Sequence, residues 1–439
     1  MKTASAISPF GRGAPARTLV FASLLSVLSL PLAPRASADK TFGSVVAPGA
    51  DIESVRSYLL DHNPELRALR AEAEAADARV FPAGALPDPM LRIDLGDIPV
   101  GSGAVLPGNA GYTTYEVRQT FPLWGKRGLA RDIASAESKS MHLMRRAETL
   151  ELLSSAESAY VRYWHAHASV AVIDRLIVLL EQIEEIAGVR YALGMTAQQD
   201  AIRAQVERTA MQRQKIEFVA RGREYSTELN ALLGRPADAG LSAPDATPSL
   251  PVAQPDLALA IARLQQNRHP AIASRLALID ASAANKRLQL RNRLPDVTLG
   301  ITPMQRGSGL ESYELMFEVD IPLQQRARRE RERESRLLEE AAIARAESVR
   351  TGLQGRVGSA MSRWKGAREQ RLLIERTLLV QADANYRSAL ESYRVGEVDF
   401  GTLLDALREW QGADLARLDA LRDELLGAAE LRGIEGEAP

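Results

Sequence analysis

The chain is written twice. Asn63-Pro64-Glu65-Leu66 is echoed by His269-Pro270-Ala271-Ile272, and Leu86-Pro87-Asp88 by Leu294-Pro295-Asp296. Phe121-Pro122-Leu123 returns as Ile321-Pro322-Leu323, Trp164 as Trp364, and Tyr191-Ala192-Leu193-Gly194 as Tyr393-Arg394-Val395-Gly396. These landmarks keep their order at a spacing of about 200 residues, which marks an internal repeat. The first copy is assigned to residues 39–234 and the second to 257–439. Between them, residues 235–256 hold Pro236, Pro244, Pro248, Pro251 and Pro255. Proline lacks the amide donor a helix needs, so this stretch reads as an extended linker.

Each copy reads as helix, strand, strand, very long helix, turn and return helix. The stretch from Gly125 to Arg190 has no proline and is rich in Ala, Glu, Lys, Leu and Arg. Ile173, Leu176, Leu180, Ile183 and Ala187 step by three and four, the seam of a coiled coil. The second copy answers with Leu379, Ala382, Tyr386, Ala389 and Tyr393, and with Leu418, Leu421, Leu425 and Ala428 on its return helix. A continuous helix of this kind runs on the order of 100 Å at about 1.5 Å per residue. Rods that long pack side by side, giving a mainly α fold with a small β part. The helical hairpins are placed at about 125–232 and 324–431.

The period changes to two in the β part, at about 90–121 and 296–321. Leu91, Ile93 and Leu95 alternate with Arg92, Asp94 and Gly96. Tyr115, Val117 and Phe121 alternate with Glu116, Arg118 and Thr120, though Gln119 interrupts the apolar side. Val297, Leu299 and Ile301 alternate with polar or small residues, and Tyr313, Leu315, Phe317, Val319 and Ile321 do so most clearly. The intervening turns carry Gly101-Ser102-Gly103 and Gly307-Ser308-Gly309. Each run has the length of a tilted strand crossing a bilayer. Four strands are too few to close a barrel. An open edge in lipid leaves backbone groups unpaired, at several kcal/mol each. Strands that span a membrane here must therefore be pooled among several chains. The competing reading is a soluble periplasmic coiled-coil adaptor or scaffold, with the hairpins folded onto its helices.

The compartment is read from the first residues. Lys2, Arg12 and Arg17 precede an apolar run from Leu19 to Leu32, and Ala36-Ser37-Ala38 offers a cleavage site. Residues 1–38 thus read as a secretory signal peptide. No later run is long and uncharged enough for a membrane helix. With 55 basic and 56 acidic residues, the chain lacks the positive excess of a nucleic-acid binder. It has no cysteine, which removes disulfides, thiolate metal sites and a lipid-modified cysteine anchor.

The duplicated Asn63-Pro64 and His269-Pro270 starts, the Gln119-Thr120-Phe121-Pro122-Leu123-Trp124-Gly125-Lys126-Arg127 segment and the two Tyr-x-x-Gly turns together resemble the TolC family of outer-membrane efflux proteins. The resemblance spans nearly the whole chain after residue 38. It implies a homotrimer in which each chain gives four strands to one twelve-stranded barrel in outer-membrane lipid. The helices would continue that barrel as a periplasmic tunnel. It also implies two protein partners, a periplasmic membrane-fusion adaptor and an inner-membrane efflux pump. Leu86-Pro87-Asp88-Pro89-Met90 and the Phe-Pro-Leu-Trp-Gly-Lys-Arg segment look most similar to members serving heavy-metal exporters of the resistance-nodulation-division class. Multidrug and type I secretion ducts belong to the same family.

The resemblance also assigns roles at the turns. Gly194, Met195 and Thr196, with Gly396, Glu397 and Val398, correspond to adaptor-docking tips. Asp200 and Asp405 stand where the family places gate-forming acids. Thr402 replaces a second acid, and Val398 replaces a basic partner. The arginines Arg326, Arg328, Arg329, Arg331 and Arg333, alternating with Glu330, Glu332 and Glu334, read as a solvated helix face with i,i+4 pairs. His165 and His167 are two apart and point different ways on a helix, which denies them a shared metal. Met90, Met304 and Met316 read as membrane-strand packing rather than soft-metal ligands. No phosphate loop, nucleophile elbow or zinc-protease motif is present, so no catalytic residue, cofactor or metal site is assigned.

Overall fold

The first two helices begin where side chains satisfy free amides. The computed structural model describes residues 47–249 apart from 99, 102 and 104, together with residues 257–266 and 269–435. The proposed signal peptide and residues 250–256 of the linker lie outside the described residues. Helix α1 (Ile52–His62) opens on Asp51, whose carboxylate accepts from the Ser54 N–H at 2.7 Å. Helix α2 (Pro64–Ala83) opens on Asn63, whose Oδ1 accepts from the Leu66 N–H at 3.0 Å, with Pro64 in the first turn. Strands β1 (Met90–Gly96) and β2 (Tyr112–Phe121) follow, then α3 (Lys126–Ala192) and α4 (Gln198–Leu232). The second half runs through α5 (Leu257–Gln265), α6 (Pro270–Arg291), β3 (Val297–Arg306) and β4 (Gly309–Val319). It ends in α7 (Gln325–Leu373), α8 (Leu379–Val395) and α9 (Phe400–Glu435). The fold is mainly helical with one small sheet.

The coiled-coil periodicity becomes the core. Ile173, Leu176, Leu180, Ile183 and Ala187 are fully buried on α3, a helix of 67 residues. They join Ala204 and Met211 of α4 and Tyr393, Phe400, Leu403 and Leu425 of the second half in one cluster. A separate cluster seats Val55 and Leu59 of α1 against Tyr160 of α3 and Leu229 of α4.

The halves differ in one respect. A π-helical turn at Ile374–Leu378 separates α7 from α8, whereas α3 is continuous. The landmark spacing grows between Trp164/Trp364 and Tyr191/Tyr393, the interval that holds this turn. A π-turn is the ordinary way for a helix to absorb an inserted residue without breaking.

The linker is fastened rather than free over its described part. The Ser242 N–H donates to the Pro48 carbonyl and the Asp245 N–H to the Ala50 carbonyl, each at 3.0 Å. The Tyr163 hydroxyl donates to the Ser242 carbonyl at 3.2 Å. The arginine-rich start of α7 also departs from a simple solvated face. Arg328 donates to the Asn292 carbonyl at the end of α6, and Glu332 pairs with Arg293 across the two helices.

Candidate functional site

The four strands form one antiparallel sheet in the order β1-β2-β3-β4. Register fixes which side chains share a face. Leu91 lies opposite Val117, Val117 opposite Ile301, and Ile301 opposite Leu315. Ile93 with Tyr115, and Leu299 with Phe317, extend the same face. This face is bare: Tyr313, Phe317 and Leu315 are 69%, 70% and 84% exposed. An exposed apolar face of this extent marks an interaction surface in a stable protein. Among the described residues β1 and β4 have no further neighbour, so the sheet also keeps two open edges.

The opposite face is polar. Arg92 lies opposite Glu116, Thr302 opposite Glu314, and Thr298 opposite Glu318. Thr120 and Thr298 share a hydroxyl hydrogen bond of 2.9 Å. Met90, Met304 and Met316 have the parity of this face. Arg118 Nη2 donates to Met90 Sδ at 3.6 Å, and Met316 lies over Gly300.

A buried lysine fixes the passage from sheet to helix. Lys126 Nζ donates to the Leu294 carbonyl and to Asp296 Oδ1, each at 2.8 Å. Asp296 also accepts from the Leu123 N–H at 3.1 Å, and Trp124 Nε1 donates to the Pro295 carbonyl at 2.7 Å. Trp124 and Gly125 adopt φ of 62° and 77°, the left-handed turn that aims α3 away from the sheet. The Phe-Pro-Leu-Trp-Gly-Lys motif of the first half thus grips the Leu-Pro-Asp motif of the second.

At the far ends of the long helices, both Tyr-x-x-Gly turns close alike. Gly194 and Gly396 have φ of 70° and 83°. The Met195 N–H returns to the Arg190 carbonyl at 2.8 Å and the Glu397 N–H to the Ser392 carbonyl at 2.9 Å, the left-handed helix stop that glycine permits. Gly194, Met195, Gly396 and Glu397 are exposed, Thr196 is half-buried, and Val398 packs against the core.

Arg190 joins the two turns. Its Nη1 donates to the Tyr393 and Arg394 carbonyls at 2.6 and 2.9 Å, and its guanidinium lies 5.0 Å from the Tyr393 ring centroid. Burial pushes the Tyr393 phenol up, and the nearby charge of Asp200 adds to this. Thr402 serves as a capping partner: Asp399 Oδ1 accepts from its N–H at 2.7 Å. Hydrogen bonds from the Thr402 backbone and side chain hold Asp399 below the usual carboxylate range. Asp405 is exposed and contacts Arg408 at 3.3 Å, while Arg408 reaches Glu207 of α4 at 2.7 Å. The three gate candidates therefore make separate contacts within one chain. Arg190, Asp399 and Arg408 escaped the sequence reading. Asp399-Phe400-Gly401-Thr402 does carry a helix-start signal. An arginine in a last helical turn, by contrast, reads only as a partner of its own helix dipole.

His165 and His167 diverge as expected. His165 is buried and contacts Asp419 at 3.0 Å, whereas His167 is exposed beside Tyr163. Among the described residues no cluster of histidines and carboxylates could hold a metal ion, and no helix is long and apolar enough to cross a membrane.

Residues 55–235 match the family model described as outer membrane efflux protein. Over this stretch the chain is similar to that family. The fold extends the likeness well beyond the matched stretch. The outer-membrane channel OprN superposes with a TM-score of 0.75 at 19% identity, covering 88% of this chain and 90% of that one. CusC, described for its folding and transmembrane channel formation, gives 0.75 at 15% identity, covering 88% and 92%. The outer membrane protein VceC of Vibrio cholerae gives 0.74 at 16%, covering 88% and 96%. No curated protein matches the chain. The likeness to these outer-membrane channels is one of fold over most of the chain.

Proposed function

We propose that three copies of the chain build the exit duct of a tripartite efflux system. The exposed apolar face of the sheet carries this reading. Turned toward lipid, it needs no further cover, and the open edges of β1 and β4 find partners on sister chains in a twelve-stranded barrel. The polar face then lines a water-filled lumen, and the long helices continue it through the periplasm. An inner-membrane pump would deliver cargo through a periplasmic adaptor docked near Gly194, Met195, Gly396 and Glu397. Asp200, Thr402 and Asp405, with Arg190 and Arg408, would narrow the periplasmic entrance. The duct supplies no energy; it replaces lipid with a hydrated path.

The cargo we favour is metal cations. Asp94, Glu116, Glu314 and Glu318 outnumber Arg92, Arg118 and Arg306 on the polar face, and three thioethers lie among them. Purification from outer membranes as a detergent-requiring trimer that conducts ions in planar bilayers tests the duct. A freely soluble monomer would exclude it. Deletion of the gene should raise sensitivity to metal salts more than to drugs, and the reverse would transfer the proposal to a multidrug duct.

A further inference from the structure

The loop between β1 and β2 lies on the helix-distal end of the sheet, and residues 98–110 contain no charged side chain. The Asn109 and Ala110 N–H groups turn back to the Leu106 carbonyl at 3.0 and 3.4 Å. Gly108, at φ 84°, then brings the loop backbone down onto the sheet. Its N–H donates to Thr113 Oγ1 at 3.4 Å. A Cβ added there would meet the Gly307 carbonyl oxygen at 3.3 Å and Gln305 Nε2 at 3.5 Å.

Thr113 and Gln305 identify the face. Thr113 has the parity of Tyr115 and Val117, and Gln305 that of Ile301 and Pro303, so both side chains belong to the apolar side. Thr113 is fully buried, and the Tyr115 hydroxyl donates to Gln305 Oε1 at 3.1 Å. Two polar residues that would otherwise break the apolar face are thus satisfied and covered by the loop. The loop in turn leaves Ile98, Val100, Val105 and Leu106 exposed.

We propose that the segment 105–110 lies on the lipid side of the barrel at the outer-leaflet boundary, with its backbone at the headgroup level and Val105 and Leu106, with Val100, turned to the ends of the acyl chains. It follows that the loop does not lid the pore, and the outward mouth on the polar side stays clear of it. The inference rests on the apolar face meeting lipid. Continuity with that face, the lack of charge and the cover over Thr113 all point to hydrocarbon as the occupant.

Because the chain has no cysteine, single-cysteine variants carry a nitroxide label without background. Trimers of Leu106→Cys and, separately, Val105→Cys are reconstituted in phospholipid and probed with oxygen, which partitions into lipid, and with a water-soluble nickel chelate. Leu315→Cys and Glu314→Cys provide the lipid and lumen references. Both loop labels should collide more with oxygen than with nickel, as at position 315. A nickel preference like that at position 314 overturns the inference. If Leu315→Cys itself prefers nickel, the duct reading fails instead. As a second readout, a cationic thiol reagent should leave the conductance of Leu106→Cys unchanged while altering that of Glu314→Cys. Block at position 106 would place the loop over the pore and overturn the inference.

Discussion

His269 and Asn63 stand at matching places in the two halves and cap their helices by different chemistry. Asn63 offers an amide oxygen at any pH, whereas His269 accepts from the Ala271 N–H through Nδ1 at 3.2 Å. That bond requires the neutral ring. Burial, helped by the positive field of Arg356, lowers the pKa of His269 from its ordinary 6.5, while Glu151 and a Gly433 backbone hydrogen bond oppose the shift. The unfolded chain therefore takes up a proton that the folded one resists. The stability this group contributes is complete above the ordinary histidine value and is lost as pH falls through the lowered one. His269→Asn should keep the cap and remove this share of the acid sensitivity as pH falls below the ordinary histidine value. His269→Ala should cost about 1 kcal/mol at neutral pH, the usual worth of a cap. Melting of the detergent-solubilised protein over that fall in pH, compared among the three proteins, checks both. At this scale the sequence was only partly legible. The Asn-Pro and His-Pro pairs announce helix starts, but the environment that lowers the histidine comes from residues remote in the chain.

Elements were easier to foresee than their partners. The alternation in β1 and β4 and the seams of α3 and α8 set element type, because a period of two or of three and four admits one regular backbone each. Nothing in the sequence told β2 to pair with β3, the contact that unites the two halves in one sheet. Nor did it show that Lys126 would bond to Leu294 and Asp296, or Arg190 to the end of α8. Such bonds depend on register between distant segments, and local pattern is silent about register. Lys126→Met would take the lysine donor from the Leu294 carbonyl and the cation from half-buried Asp296, and should destabilise the sheet-to-helix junction by about 2 kcal/mol. Denaturant titration of the purified protein in detergent measures that loss. Arg190→Ala should loosen the second turn from the first by about 1–2 kcal/mol, from the lost charge-assisted hydrogen bonds. If the turns narrow the entrance, single-channel conductance rises in this variant and less so in Arg190→Lys. Unchanged conductance in both would separate Arg190 from the gate.

For residues 47–435 as a body, the decisive question is which side of the sheet meets water. A soluble scaffold would have to cover Leu91, Ile301, Leu315 and Phe317 with its own helices, and in this fold they are exposed. The two readings therefore respond oppositely to one substitution. Leu315→Arg places a charge at mid-strand on the apolar face. In a barrel this should cost about 2–4 kcal/mol near the bilayer midplane, tripled by symmetry, and should deplete assembled trimer from outer-membrane fractions. In a soluble monomer the same arginine would improve solubility and leave yield unharmed. Glu314, one residue away, lies on the other face. Under the duct proposal, Glu314→Gln should assemble normally and shift the reversal potential of reconstituted channels toward anions, because a trimer would lose three lumen carboxylates. Two neighbouring positions with opposite phenotypes, one in assembly and one in selectivity, would follow from the two-residue period alone. Equal behaviour at both would mean that the sheet does not separate lipid from water.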